Sequence, residues 1–236
     1  MGGAVAPPTG RVRRFRLTER DLEIAAFINR MGCATSEQVR RRFNLSEPMC
    51  WRRLRALRQH ALVRSSRPLI GHSIVYPAGI DAPSVRSLDH ALTATSVSLE
   101  LELDGSAVVT ERLMRQDEWR AGERSLWSIS MPHSLGSDRQ LTHRPDLAIR
   151  TPDGLVAIEV ELTRKSRRRL GHLMSAWARQ ARYQEVRYLC RTPALRDLVA
   201  AQSMEHGADL VVRPRLLVEG CNDAGLSPWL TRRAAP

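Results

Sequence analysis

The chain has 236 residues, 42% of them hydrophobic and 26% charged, the balance of an ordinary globular protein with length for one small and one larger core. A net charge of +12 and a pI near 11.0 point to a polyanionic partner, because arginine clusters release counterions when they meet phosphates. No stretch approaches the ~20 apolar residues of a membrane span and the first ten residues lack a signal-peptide core, so a cytoplasmic protein without membrane contact is expected.

Cys33, Cys50, Cys190 and Cys221 form no CxxC or CxxH pair, which excludes the simplest zinc site and makes them expected buried thiols. The seven histidines show no HxH or HExxH spacing, so a metal site would have to be built from carboxylates.

Residues 1–15 begin with Gly, Ala and Pro and continue into Arg11, Arg13 and Arg14, which predicts a loose basic arm. Thr18 with Asp21 three positions on resembles a capping box, and Leu22, Ala25, Ala26, Ile28 and Met31 recur near helical spacing, predicting a helix from about 19 to 31. Gly32 breaks it. Thr35 or Ser36 can cap a second short helix carrying Val39 and Phe43, and Ser46-Glu47-Pro48 starts a third. In the third, Cys50, Leu54, Leu57 and Ala61 line one face while Arg52, Arg53, Arg55 and Gln59 lie largely off it. A hairpin running through Arg64 and Arg67 to Ile74-Val75-Tyr76 follows.

Three helices and a hairpin over residues 16–78 make a winged helix-turn-helix, a DNA-binding domain for double-stranded DNA. Arg52, Arg53, Arg55, Gln59, Arg64 and Arg67 are its expected DNA-binding residues. The competing reading is an arginine-rich solvated face on an arbitrary helical subdomain.

Pro77 to Pro83 marks the boundary to a larger domain, residues 84–218, followed by a polar tail, residues 219–236. A helix is predicted from Val85 to Leu103, burying Leu88, Leu92, Thr95, Val97, Leu99 and Leu103, then a strand over Ser106 to Met114. Residues 115–142 read as an irregular loop over the site with at most a short strand near Trp127-Ser128-Ile129. Pro145 to Arg150 and Leu155 to Leu162 are strands joined by the turn Thr151-Pro152-Asp153-Gly154. A helix from Lys165 to Ala181, a strand Val186 to Cys190, a helix opening at Pro193 and a strand Leu210 to Val212 complete an α/β domain with a mixed central sheet. Gln180 and Tyr183 are expected to pack.

Asp146 starts one strand of the hairpin, and Glu159 and Glu161, two apart on the other, point to one face. Three converging carboxylates can hold Mg²⁺ or Mn²⁺, which polarises a phosphodiester and acidifies an attacking water. Lys165 is the only lysine among 37 basic residues, and its compact ammonium could offset developing phosphate charge. Arg164, Arg167, Arg168 and Arg169 would grip the backbone. The alternative is that the acids simply pair with Arg144, Arg164 and Arg167.

Pro145-Asp146 and Glu159-Val160-Glu161 resemble the PD and acid-x-lysine elements of the PD-(D/E)XK (restriction-endonuclease-like) nucleases, with glutamate at the usual lysine position. The resemblance implies Asp146 and Glu159 as metal ligands and an extra acid from the preceding helix, Glu100 or Glu102, with Glu111 a further choice. Leu17-Thr18-Glu19-Arg20-Asp21, Thr35-x-Glu37-Gln38-Val39, Thr110-Glu111-Arg112 and Arg144-Pro145-Asp146 with Ile158 to Thr163 are similar to motifs of the replication-relaxation family of plasmids and other mobile elements. That resemblance spans about residues 15 to 190 and implies a winged helix joined to a nuclease-like domain.

Two functions follow as expectations. The first is a magnesium-dependent DNA endonuclease or nickase with Asp146, Glu159, Glu161 and Lys165 catalytic, and Asp146, Glu159, Glu161 and Glu100 at the metal. The second is a non-catalytic DNA-binding regulator or replication accessory with a degenerate nuclease fold. RNA processing is a weaker third, since aromatic platforms for single-stranded RNA are few. A two-fold homodimer is the common default for such DNA readers.

Overall fold

The computed structural model describes residues 16–66, 73–82, 84–123, 125–131 and 141–217. The expected basic arm, Arg67, Cys221 and the tail lie outside them.

The first helix, α1 (Glu19–Met31), begins with the capping box read from the sequence: the Thr18 N–H donates to Asp21 Oδ2 at 2.8 Å, and Thr18 Oγ1 accepts from the Asp21 N–H. Gly32 ends it at φ +80°, a conformation that suits a residue without Cβ. A two-residue strand, β1 (Ala34–Thr35), runs into α2 (Ser36–Arg42), which Thr35 and Gln38 open with a second capping box. Helix α3 (Glu47–Gln59) stops before Ala61, which turns at φ +53° and so leaves the apolar face assigned to it. Strand β2 (Val63–Ser65) pairs antiparallel with β3 (Ile74–Pro77), and β1 joins the other edge of β3. Strand β1 was not expected, since two residues carry no periodicity. Ile24, Phe27, Ile28, Val39, Leu54, Leu57 and Val75 form the core of this unit.

The remaining chain builds a mixed sheet between helices. Helix α4 (Val85–Leu103) leads into β4 (Val108–Thr110), α5 (Glu111–Ala121) and the short pair β5 (Ile129–Ser130) and β6 (Thr142–His143). Then come β7 (Leu147–Thr151), β8 (Gly154–Glu161), α6 (Arg167–Arg179), β9 (Tyr183–Cys190), α7 (Pro193–Glu205) and β10 (Val212–Leu216). The five-stranded order is β10-β9-β8-β7-β4, antiparallel from β4 to β8 and parallel from β8 to β10.

Alternation along β8 divides the interior. Val156, Ile158 and Val160 pack with Val97 of α4 and with Val108, Leu147 and Ile149, whereas Ala157 packs with Leu173 and Trp177 of α6 and with Val186 and Tyr188. Both faces are covered, which explains the near-continuous apolar run of β8. Gly171 lets α6 approach α7, since a Cβ there would lie 2.4 Å from Nε2 of His206.

Three expectations are corrected here. The strand over Ser106 to Met114 is cut to three residues because the Thr110 side chain accepts the Leu113 N–H and starts α5, so the supposed loop over 115–142 begins as helix as far as Ala121. Leu103 is exposed at the end of α4 instead of buried. Ser166 caps α6, which leaves Lys165 in the turn before it.

The Pro77 to Pro83 boundary separates elements along the chain, yet α4 packs on both units. Its Leu88 and Leu92 bury against Cys33 and Ile74, and Gln38 Nε2 donates to Leu92 O and to Ser96 Oγ, both at 2.8 Å. On the far side of the joint, Thr110 Oγ1 donates to Arg30 O at 2.8 Å. Cys33, Cys50 and Cys190 are buried free thiols; burial pushes Cys33 and Cys190 up to about 12 and Cys50 up to about 11, which keeps all three unreactive.

Candidate functional site

Strand register brings the acids together. Leu147 of β7 pairs with Ile158 of β8, so one step further along the same antiparallel ladder sets Asp146 opposite Glu159. The Val160 N–H donates to Asp146 Oδ2 at 2.7 Å, fixing that carboxylate at the mouth of the sheet. Glu159 and Glu161 share the face that looks toward α6 and are 3% and 4% exposed.

Each acid has one cationic or titratable partner. His90 of α4 places Nε2 3.1 Å from Asp146 Oδ2, and His143 of β6 places Nε2 2.6 Å from Glu159 Oε1. Lys165 Nζ bonds Glu161 Oε2, bent back from the turn before α6. One oxygen of each carboxylate, Asp146 Oδ1, Glu159 Oε2 and Glu161 Oε1, has no hydrogen-bond partner among the described residues. These groups line a cleft of about 800 Å³ whose rim includes Arg164 and Arg169.

The electrostatics follow from these pairs. The hydrogen bond to Asp146 raises the His90 imidazole above its ordinary value, more than burial lowers it. Burial lowers His143, but the Glu159 carboxylate beside it outweighs that and raises it overall. Burial raises Glu159, against the pull of His143, so the pair holds a proton to higher pH than the free groups would.

The extra acid expected from α4 is not in the cleft. Glu100 lies ten residues beyond His90, about 15 Å along the helix axis, and binds Arg41 at 3.0 Å. Glu102 binds Arg30 at 2.8 Å and Arg42 at 3.0 Å, and Glu111 pairs with Arg115 on its own helix. The α4 residue that does reach the acids is His90, which sequence reading missed because its partner lies 56 positions away. His143 carried a local signal, three residues before Asp146.

Among the described residues no arginine forms an ion pair with the cleft acids. Arg144 turns away to Glu118, 2.6 Å from its Nε, and Arg164, Arg167, Arg168 and Arg169 are exposed with no acidic partner among the described residues. The Gln180 side chain donates from Nε2 to the Tyr183 carbonyl at 2.8 Å and accepts the Tyr183 N–H at 2.7 Å, and the two pack, as expected.

The cationic face of α3 is partly retained. Arg52, Arg55 and Gln59 are exposed, and so is Arg64 of β2. Arg53 is not part of it: its Nη1 lies 3.2 Å from Oδ2 of the fully buried Asp21, tying α3 to the N-cap of α1. Arg53→Ala should therefore cost roughly 2 kcal/mol of stability by stranding a buried carboxylate, seen as a lower urea midpoint. Arg52→Ala should leave that midpoint unchanged within ~0.5 kcal/mol.

No family model, curated protein or solved structure matches the chain. Among the described residues no helix is long and apolar enough to cross a membrane, and no three His, Cys, Asp or Glu side chains are arranged to hold a metal ion as they stand.

Proposed function

We propose that this protein is a DNA-binding phosphodiesterase of the PD-(D/E)XK type, using its N-terminal unit as a winged helix-turn-helix, and that it nicks or cleaves DNA of a plasmid, phage or other mobile element. The observation that carries the reading is Asp146 and Glu159 facing each other across β7 and β8, with Glu161 and its Lys165 partner on the same cleft. The order α4, β4, β7, β8, α6, β9 supports it, since the strands that hold the acids are antiparallel and the helix after them crosses to a parallel neighbour.

Asp146 and Glu159 would hold Mg²⁺ or Mn²⁺, with Glu161 beside them. The donor set fits, because each carboxylate keeps an uncommitted oxygen, and Mg²⁺ is commonly held by one or two carboxylates with waters and substrate phosphate completing its shell. A cation bound there supplies a Lewis acid for the phosphate and a more acidic water. Lys165 would place its ammonium beside the charge that develops on the phosphate oxygens, Arg164 and Arg169 would position the backbone at the rim, and Arg52, Arg55 and Gln59 would meet the groove of duplex DNA.

Supercoiled plasmid incubated with the protein should become nicked or linear in Mg²⁺ or Mn²⁺ and remain intact in EDTA. Lys165→Met should slow single-turnover cleavage about 100-fold while leaving DNA affinity within about twofold, because its charge serves the transition state more than binding. Tight binding with no cleavage in either metal would instead favour a DNA-binding regulator. The histidine pairs give that second reading its footing, since His90 and His143 satisfy Asp146 and Glu159 without a cation.

A further inference from the structure

The acidic cleft does not end at Asp146. Its wall of His90 and Asp146 is shared with a narrow recess of about 130 Å³, and that recess shares Arg30 and Arg112 with a third one of about 740 Å³ between α1, the end of α2 and α5. The three adjoin in a line that leaves the carboxylates and crosses the joint between the two units.

The third recess has the chemistry of a nucleic-acid strand site. Arg30, Arg42 and Arg112 bring three cations to it, Asn29 and Gln116 bring amides, and Phe43 is half-buried at its wall. The acids nearby are limited. Glu102 is shared between Arg30 and Arg42, Glu111 is taken by Arg115, and Glu23 stands at the rim. Arg112 has no acidic partner among the described residues: its Nη2 donates to Asn29 Oδ1 at 3.1 Å, while its Nε is buried without a hydrogen-bond partner. A guanidinium without an acidic partner keeps its charge available, and a phosphate oxygen matches the geometry of its fork. The recess adjoining the cleft, at about 130 Å³, is the narrow neck of this path.

We propose that the seam between α1 and α5 binds a single strand of DNA leaving the acidic cleft, with Arg112 contacting a backbone phosphate. This rests on the cleft being a phosphodiester site, and it adds a strand path and a positioning residue on α5. A cleavage site next to a single-strand channel acts on locally opened DNA, in which one strand enters the cleft and its continuation lies along the seam.

The test is fluorescence anisotropy in EDTA with a labelled oligothymidylate and a labelled duplex. Arg112→Glu should weaken single-strand binding about tenfold and lower the slope of log K against log salt by about 0.7, the share of one phosphate contact, while duplex affinity stays within about twofold. Arg112→Gln, which can keep the bond to Asn29, serves as the folded control and should show a smaller loss in the same direction. A 5-iodouracil oligonucleotide cross-linked to the wild-type chain should label peptides from residues 23–31 and 111–116. Labelling confined to α3, or single-strand affinity unchanged in Arg112→Glu, would overturn the proposal. If the chain never cleaves DNA yet these results hold, the seam stands and the nuclease reading falls; if it cleaves and Arg112 is inert, the seam alone falls.

Discussion

Glu118→Ala should cost the protein about 3 to 5 kcal/mol of folding stability, the range for breaking a buried charge network by removing one member. The side chain is 4% exposed and accepts from the Trp127 N–H at 2.9 Å, the Ser128 N–H at 2.8 Å, Ser128 Oγ at 2.7 Å and Arg144 Nε at 2.6 Å. Truncation would orphan two backbone donors and a largely buried guanidinium at once. The damage would spread, because Glu118 ties α5 to the start of β5 and to Arg144, two residues before Asp146, while Tyr183 Oη donates to Trp127 O on the same segment. Chemical denaturation would show the loss as a lower midpoint with an unchanged slope.

The same residue sets an acid limb. Burial raises the Glu118 carboxyl, but the hydrogen bonds from Ser128, Trp127 and Arg144 outweigh burial and hold it below its ordinary value. A carboxyl depressed in the folded state contributes stability that is present above its unfolded pKa and lost as pH falls through the folded one. Wild type should therefore lose stability below about pH 4.5, the group's ordinary value, more steeply than Glu118→Gln does. Parallel acid limbs for the two proteins would show that the carboxylate charge contributes nothing there.

Local chemistry explains what could be read in advance. The capping box at Thr18, a cap at Thr35 or Ser36 and the turn Thr151 to Gly154 are statements about three or four neighbouring residues, and all three appear where the sequence puts them, with Thr35 taking the cap. The placement of Glu159 and Glu161 on one face follows from the two-residue period of a strand. Long-range choices were hidden. Val108-Val109-Thr110 is a β-branched run that could continue as a strand, and only the Thr110 cap turns Glu111 onward into helix. Periodicity on α4 identifies a buried side but not which end meets the acids, so Glu100 was assigned a place that His90 holds. Arg53 sits off the apolar face of α3, and nothing local reveals that Asp21 is buried beneath it. Lys165 reaches Glu161 because Ser166, and not Lys165, opens α6, leaving the lysine in a turn that can bend back.

Asp146→Asn should lower metal-dependent DNA cleavage by roughly 10³-fold or more while leaving the fold intact. The choice of asparagine matters because Asp146 has structural duties: Oδ2 accepts the Val160 N–H and meets His90. An amide oxygen in the place of Oδ2 can still accept from the Val160 N–H and from a ring N–H of His90, so the loss of stability should stay near 1 kcal/mol. What the amide cannot supply is the negative charge that a hard cation needs. Glu159→Gln should behave alike, and because both carboxylates serve one cation, combining the two should cost little more than either alone. A contaminating nuclease would be indifferent to either substitution, so the pair also identifies the source of any nicking. If Asp146→Asn cleaves at the wild-type rate, Asp146 is held by Val160 and His90 for structure only, and the DNA-binding regulator becomes the reading that the cleft supports.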